Sequence, residues 1–242
     1  MIEMTAKANG PRLTEAMLAD GFHLLVSLPR NDVELARAAL ESGADGVKVH
    51  IGLHHYASGL VTGTLDEEAN RIAEIVALGL PVGIVPGAAE GLATRAEMLR
   101  LAELGVDFFD LYAEDMPAWM LCMNDCAMSV MVAFSSATSP WGLIERVADA
   151  SRPTLIEASV MPHEVYGQEL TAADVSLYAE IAHRSGLPVV VPSQKDIKPD
   201  EVAALSDAGT AAVLIGAIVT GTEAAGIADA TGRFRTAIDK LR

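Results

Sequence analysis

One unit recurs along this chain: an amphipathic helix that stops at glycine, followed within a few residues by a short β-rich run. Gly21 leads into Phe22–Ser27, Gly43 into Gly46–Ile51, and Gly79 into Pro81–Val85. Gly105, Gly186 and Gly209 do the same before Val106–Tyr112, Pro188–Val191 and Ala211–Gly216. Glycine ends a helix because it enters the left-handed cap conformation without a Cβ penalty, so each one punctuates a helix-to-strand transition. Two further runs, Met128–Ser135 and Thr154–Met161, lack the glycine but bring the strands to eight. Strands that alternate with helices pair in parallel, because each crossover returns the chain to the same end of the sheet. Eight such units in 242 residues, with no linker or low-complexity stretch, predict a closed (β/α)8 TIM barrel rather than an open doubly wound sheet. Residues 1–242 are read as a single domain, with 1–10 a flexible N-terminal segment. The helix from Pro11 to Leu18 is predicted to cap the barrel's N-terminal end.

Composition narrows the partners. A hydrophobic content of 51% supports a large core, and the formal net charge of −16 argues against nucleic acid or an anionic membrane. The opening residues Met1 to Lys7 lack the apolar centre of a secretion signal, and no run approaches the 18 apolar residues of a membrane helix, so the protein is expected to be soluble and cytoplasmic. Self-association is left open. Cys122 and Cys126, four apart on an expected helix, read as two small buried residues sharing a face. Only five lysines occur, Lys7, Lys48, Lys195, Lys198 and Lys240, so an anion site must draw on very few of them.

A barrel of this kind carries its chemistry at the C-terminal ends of the strands. Side chains alternate along a strand, and the face toward the helices must be apolar. Val47, Val49 and Ile51 therefore face the helices, which turns Lys48 and His50 into the lumen. The same rule places Glu157, Ser159 and Met161 inside, along with Phe108, Asp110 and Tyr112, and with Ser27, Met131, Ala133 and Ser135. A lysine buried in a lumen needs a carboxylate partner or a lowered pKa, and Glu157 and Asp110 are the available partners. Two readings stay open: an inert ion pair, or a functional group acting as acid, base, Schiff-base amine or ligand to the substrate phosphate. Glu157 is the matching candidate base and Asp110 the second carboxyl; His50 completes the candidate catalytic set. His50, His54, His55 and His163 could in principle gather at a metal with Glu157. Their spacing is no recognised ligand pattern, so no metal is assigned.

The final strand ends in small residues and opens a new helix, Val213-Leu-Ile-Gly216-Ala-Ile-Val-Thr220-Gly221. Backbone N–H groups and a helix N-terminus are thereby offered together to an anion. The preceding loop, Pro192-Ser193-Gln194-Lys195, supplies hydroxyl, amide and ammonium donors beside it, and phosphate sites in such barrels typically use the loops after strands seven and eight. Gly216, Ala217, Ile218, Ser193, Gln194 and Lys195 are the candidate phosphate-binding residues.

The order of elements in this quarter, with Asp207-Ala-Gly209, then Gly216-Ala-Ile218, then Gly232-Arg-Phe-Arg-Thr-Ala-Ile238, resembles the ribulose-phosphate-binding barrel superfamily. Residues 186–240 are most similar to N-acylglucosamine-6-phosphate 2-epimerases and thiamine-phosphate-synthase-type barrels. The resemblance implies that Gly216, Ala217 and Ile218 present phosphate-binding amides. It does not extend to catalysis: the epimerases' lysine and glutamate, ending strands three and seven, are replaced by Val85-Pro86-Gly87 and Ser193-Gln194. Lys48-Val-His50 resembles the lysine-bearing second strand of phosphate-sugar decarboxylases, without their Asp-x-Lys-x-x-Asp signature. The expected partner is a small phosphorylated metabolite, and the expected chemistry is isomerisation or epimerisation by proton transfer, which requires no cofactor. A Schiff-base lyase or aldolase using Lys48 is the enzymatic alternative. A non-catalytic phosphometabolite-binding barrel is the alternative of a different class.

Overall fold

The computed structural model describes residues 12–19, 21–88, 91–123, 125–137, 141–149 and 153–241. The N-terminal segment 1–10 and Pro11 lie outside them. Eight parallel strands close into a barrel: β1 (His23–Ser27), β2 (Gly46–His50), β3 (Val82–Val85), β4 (Phe108–Tyr112), β5 (Ser129–Ala133), β6 (Pro153–Glu157), β7 (Val189–Pro192) and β8 (Ala212–Ile215). Each strand pairs with the next in sequence, and β8 pairs with β1 through His23 opposite Ala212 and Val26 opposite Ile215. The predicted TIM barrel is therefore the observed fold.

The α-helices among the described residues are α1 (Arg12–Leu18), α2 (Val33–Glu41), α3 (Leu65–Val76), α4 (Arg95–Leu104), α5 (Trp141–Asp149), α6 (Ala172–Ser185), α7 (Val202–Asp207), α8 (Ala217–Thr220) and α9 (Ala224–Ile238). Local signals set their ends. Thr94 with Glu97 and Thr171 with Asp174 form capping boxes that satisfy the first orphan N–H groups of α4 and α6. Gly105 and Gly186 close the same helices at φ 94° and 61°. The connection from β4 to β5 departs from the expected pattern. Where a helix is expected across Cys122 and Cys126, the chain forms only the short 310 helix Ala118–Cys122, so the pair does not share a helix face. Cys122 is exposed and Cys126 buried.

Alternation divides the core in two. Val47, Val49, Ile84, Phe109, Ile156 and Val213 point outward and pack under the helices. Leu25, Phe108, Met131, Leu155, Val190, Ala212 and Leu214 fill the lower lumen, together with Leu13 and Met17 of α1. α1 plugs the barrel's N-terminal end, as predicted: Leu13 N–H donates to Asp107 Oδ2 at 3.0 Å and Thr14 Oγ1 donates to Ser129 Oγ at 2.7 Å. Gly83 in β3 leaves room for the Phe108 ring, because a Cβ there would stand 2.0 Å from Phe108 Cζ. The floor of the lumen is thus closed and apolar, and whatever the upper lumen holds opens only toward the C-terminal mouth.

Candidate active site

Two residues further along the strands the lumen changes character. Lys48 of β2, Asp110 of β4 and Glu157 of β6 converge there, all buried. Lys48 Nζ donates to Asp110 Oδ2 at 2.6 Å and forms a second, shorter ion pair with Glu157 Oε2. Glu157 Oε1 accepts from Ser159 Oγ at 2.6 Å. Asp110 Oδ1 is buried without a hydrogen-bond partner.

The electrostatics follow from these contacts. Burial alone lowers the Lys48 pKa, but the charges of Asp110 and Glu157 outweigh it and hold the ammonium above its ordinary value. Burial raises Asp110 well above the usual carboxylate range, and the neighbouring Glu157 charge adds to the rise. Burial also acts upward on Glu157, yet the Lys48 charge, a hydrogen bond shared with Asp110 and the Ser159 hydroxyl bring it below its ordinary value. Tyr112, above Asp110 on β4, is also pushed up, by burial and then by Glu157.

His50, the next lumen residue on β2, lies 3.5 Å from Ser27 Oγ through Nε2. Asn31 fixes that strand end: its Nδ2 donates to His50 O at 2.7 Å and its Oδ1 accepts from His50 N–H at 3.1 Å. Asn31 also reaches Glu68 Oε2 at 3.1 Å, so the register of Lys48 and His50 is tied to α3.

These groups line a cavity of about 330 Å³ that opens at the C-terminal mouth. Ser193, Gln194 and Gly216, Ala217 and Ile218 line it too, so the two halves of the predicted site share one space. Gly216 N–H donates to Ser193 Oγ at 2.8 Å. The N–H groups of Ala217 and Ile218 belong to the first turn of α8, where no intrahelical acceptor exists. Gln194 is engaged at both ends of its amide: Oε1 accepts from Met161 N–H at 3.0 Å, and Nε2 donates to Ser159 O at 3.1 Å and to Tyr166 Oη at 2.5 Å. It braces the loop after β6 against the loop after β7.

Three expectations need correction. Lys195 is not at the mouth: its ammonium is buried between Asp174 Oδ2 and Glu169 O, each at 3.3 Å, and it contributes nothing to the cavity wall. Lys48 is the only lysine or arginine lining the cavity among the described residues. Met161 joins the outer core instead of the lumen: β6 ends at Glu157, and the alternation that Ala158, Ser159 and Val160 still follow is lost at Met161. Ser135 likewise lies off the cavity wall, donating to Glu114 Oε1 at 2.5 Å.

His50, His54 and His163 all line the cavity, at different points of its wall. His54 is exposed, with Nε2 3.3 Å from Gly59 O, and the His55 side chain lies outside the described residues. His163 stacks on Tyr56 with centroids 3.9 Å apart and planes at 9°, and Tyr166 meets both edge-on. Among the described residues no three His, Cys, Asp or Glu side chains form a group able to hold a metal. This aromatic trio and Asn31 escape a reading of the sequence, since they act across loops. Ser159 was signalled by strand alternation, though without its role as donor to Glu157.

No protein-family model and no curated protein matches the sequence. Solved structures do. Tryptophan synthase from M. tuberculosis superimposes with a TM-score of 0.67 at 15% identity, covering 94% of this chain and 96% of that one. Thiamine phosphate pyrophosphorylase from Pyrococcus furiosus gives 0.65 at 16% identity over 91% and 96%. Phosphoribosyl anthranilate isomerase from Thermus thermophilus gives 0.61 at 18% over 91% and 100%. At these identities the likeness is one of fold alone, the (β/α)8 barrel.

Proposed function

We propose that this barrel is an enzyme that isomerises or epimerises a small phosphorylated sugar, or a similar metabolite, by proton transfer next to a carbonyl. One observation carries the reading: the Lys48, Asp110 and Glu157 cluster and the Ser193 and Gly216–Ile218 turn line the same closed-bottomed cavity. A ligand whose phosphate accepts from Ala217 N–H, Ile218 N–H and the Ser193 hydroxyl would lay its carbonyl end over the buried ionic cluster. Lys48, an ammonium with one proton still uncommitted after its two ion pairs, would stabilise the enolate oxygen. The names of two of the structural neighbours contain a phosphorylated compound, which supports the choice of ligand class.

The contacts favour proton transfer over the Schiff-base lyase. An amine must be neutral to attack a carbonyl, and the two carboxyls hold Lys48 charged. The test is to incubate the protein with a panel of phosphorylated ketoses and aldoses in D2O and follow the carbon-bound proton by NMR. Deuterium should enter next to the carbonyl and the isomer should accumulate, both lost in Lys48→Met. A panel with no exchange, from a protein with no affinity for inorganic phosphate, would sink the reading. A borohydride-trapped mass adduct on Lys48 would replace it with the lyase.

A further inference from the structure

The two carboxyls on Lys48 are not equivalent in their contacts. Both oxygens of Glu157 are occupied, one by the Lys48 ammonium and the other by the Ser159 hydroxyl. Asp110 meets Lys48 through Oδ2 and shares a hydrogen bond with Glu157, while its Oδ1 is buried, has no hydrogen-bond partner and belongs to a side chain that lines the cavity. A carboxylate oxygen left unpaired at this depth costs several kcal/mol, whereas a carboxylic acid there costs far less and carries a proton to give. We propose that Asp110 is the acid of this site: it holds the one proton that the two carboxyls retain and delivers it to the substrate oxygen, while ionised Glu157 receives the proton from carbon.

The step rests on the isomerase reading above, and it balances. The C–H bond breaks and its proton goes to Glu157. The electron pair moves through the carbonyl to oxygen, which takes the Asp110 proton as the enediol forms. Asp110 is then the carboxylate and Glu157 the acid, so the cluster keeps the same total charge and Lys48 pairs with whichever carboxyl is ionised. Collapse to the isomer runs the transfers back from the adjacent carbon and oxygen. No charge is created or removed in the closed lumen during the step, and a low-dielectric site favours that economy of reorganisation. The titratable groups acting on Asp110 are Lys48 from β2 and Glu157 from β6; β5 presents the apolar Met131 beside it. The directions of the carboxyl shifts, Asp110 upward and Glu157 downward, agree with the contacts.

The first arm of the test needs no substrate. Infrared spectra of the wild-type protein near neutral pH, unlabelled and with 13C-carboxyl aspartate or glutamate, report where the proton sits. A protonated-carboxyl C=O band that shifts with labelled aspartate and disappears in Asp110→Asn is the expected result. A band that shifts with labelled glutamate, or no band, overturns the assignment. The second arm uses deuterium exchange into whichever phosphorylated ketose the wild type accepts. Asp110→Asn should slow exchange about 10²–10⁴-fold with KM little changed, and wild-type exchange in that variant overturns the acid role while leaving the isomerase reading intact. If the wild type exchanges no ketose, the isomerase reading falls and the infrared arm still decides the proton's place.

Discussion

The lower and upper halves of the lumen are built on the same faces of the same strands and differ by a single two-residue step. Phe108 sits below Asp110 on β4, and Leu155 below Glu157 on β6. Leu25 sits below Ser27 on β1. The lower layer is apolar and plugged by α1; the upper layer is ionic and open to a cavity. The contrast teaches what each layer is for, because an apolar layer excludes water and needs no partner outside itself, whereas a buried ammonium and two carboxyls gain little stability over apolar residues of the same size. A fold that needed only filling could repeat the lower layer.

The largest expected effects come from breaking each layer in turn. Phe108→Ala should cost about 3–5 kcal/mol of stability by opening a cavity in the floor, and Lys48→Met a similar amount, about 3–5 kcal/mol, by stranding two buried carboxyls. Urea unfolding measures both. The layers separate when the whole cluster is replaced: Lys48→Met, Asp110→Leu and Glu157→Leu combined should unfold at the wild-type midpoint or beyond it, gaining up to about 4 kcal/mol, with proton exchange abolished. A triple variant as unstable as Lys48→Met alone would mean that the upper layer is structural after all.

A smaller effect tests the fit within the floor. Ala at position 83 would place Cβ against the Phe108 ring, so Gly83→Ala should cost about 1–3 kcal/mol through overpacking. The smaller ring-free side chain of Phe108→Leu should relieve most of that cost in a double-mutant cycle. Additive losses would show that the ring is not what the glycine accommodates.

Two aspartates at opposite ends of the barrel give a contrast in sign. Asp45 precedes β2 at the N-terminal end; burial pushes it up, but His23, the Leu24 N–H and Arg235 bring it below its ordinary value. Its contribution is present above the unfolded value of about 3.9 and is lost as pH falls through the folded value. Asp110 is raised, so its contribution is full below about 3.9 and is lost as pH rises toward the folded value. Asp45→Asn should therefore flatten the acid limb of the stability profile. Asp110→Asn should remove a decline on the other side, and chemical denaturation across pH compares the two slopes. Slopes of the same sign would place Asp110 with the ordinary paired carboxylates.

The two layers were legible in the sequence because strand alternation is local: once Val47, Val49 and Ile156 face the helices, Lys48 and Glu157 have only the lumen left. Legibility ended where the strands did. Met161 follows the alternation on paper but lies beyond the last residue of β6, and the loop turns it into the outer core. Lys195 was placed by proximity in sequence to Ser193, yet its long side chain reaches back to Asp174 on α6, a pairing set by tertiary packing. The helix expected across Cys122 and Cys126 also failed, because a four-residue spacing is compatible with a helix without requiring one, and the chain there forms only the 310 turn Ala118–Cys122. The glycine stops succeeded for the opposite reason, since left-handed backbone is a demand that the residue itself meets.

The smallest expected effect lies at the rim, where loops rather than strands hold the wall. Tyr56 is 59% exposed and makes one stacked contact with His163 and one edge contact with Tyr166. An aromatic contact is worth about 0.5–1.5 kcal/mol when buried, so Tyr56→Ala should change stability by less than about 1 kcal/mol. Tyr166 is different, because its hydroxyl accepts from Gln194, the amide that braces the loops after β6 and β7. Tyr166→Phe should cost about 1 kcal/mol by leaving that donor short of a partner, despite deleting only one atom. If the rim shapes ligand entry alone, Tyr56→Ala raises KM for an accepted sugar phosphate and leaves kcat unchanged. A fall in kcat would mean that the antiparallel hairpin of His54–His55 and Leu60–Val61, which carries Tyr56, helps to set the geometry over Lys48, and the division between the apolar floor and the ionic upper layer would then have to extend through the loops as well.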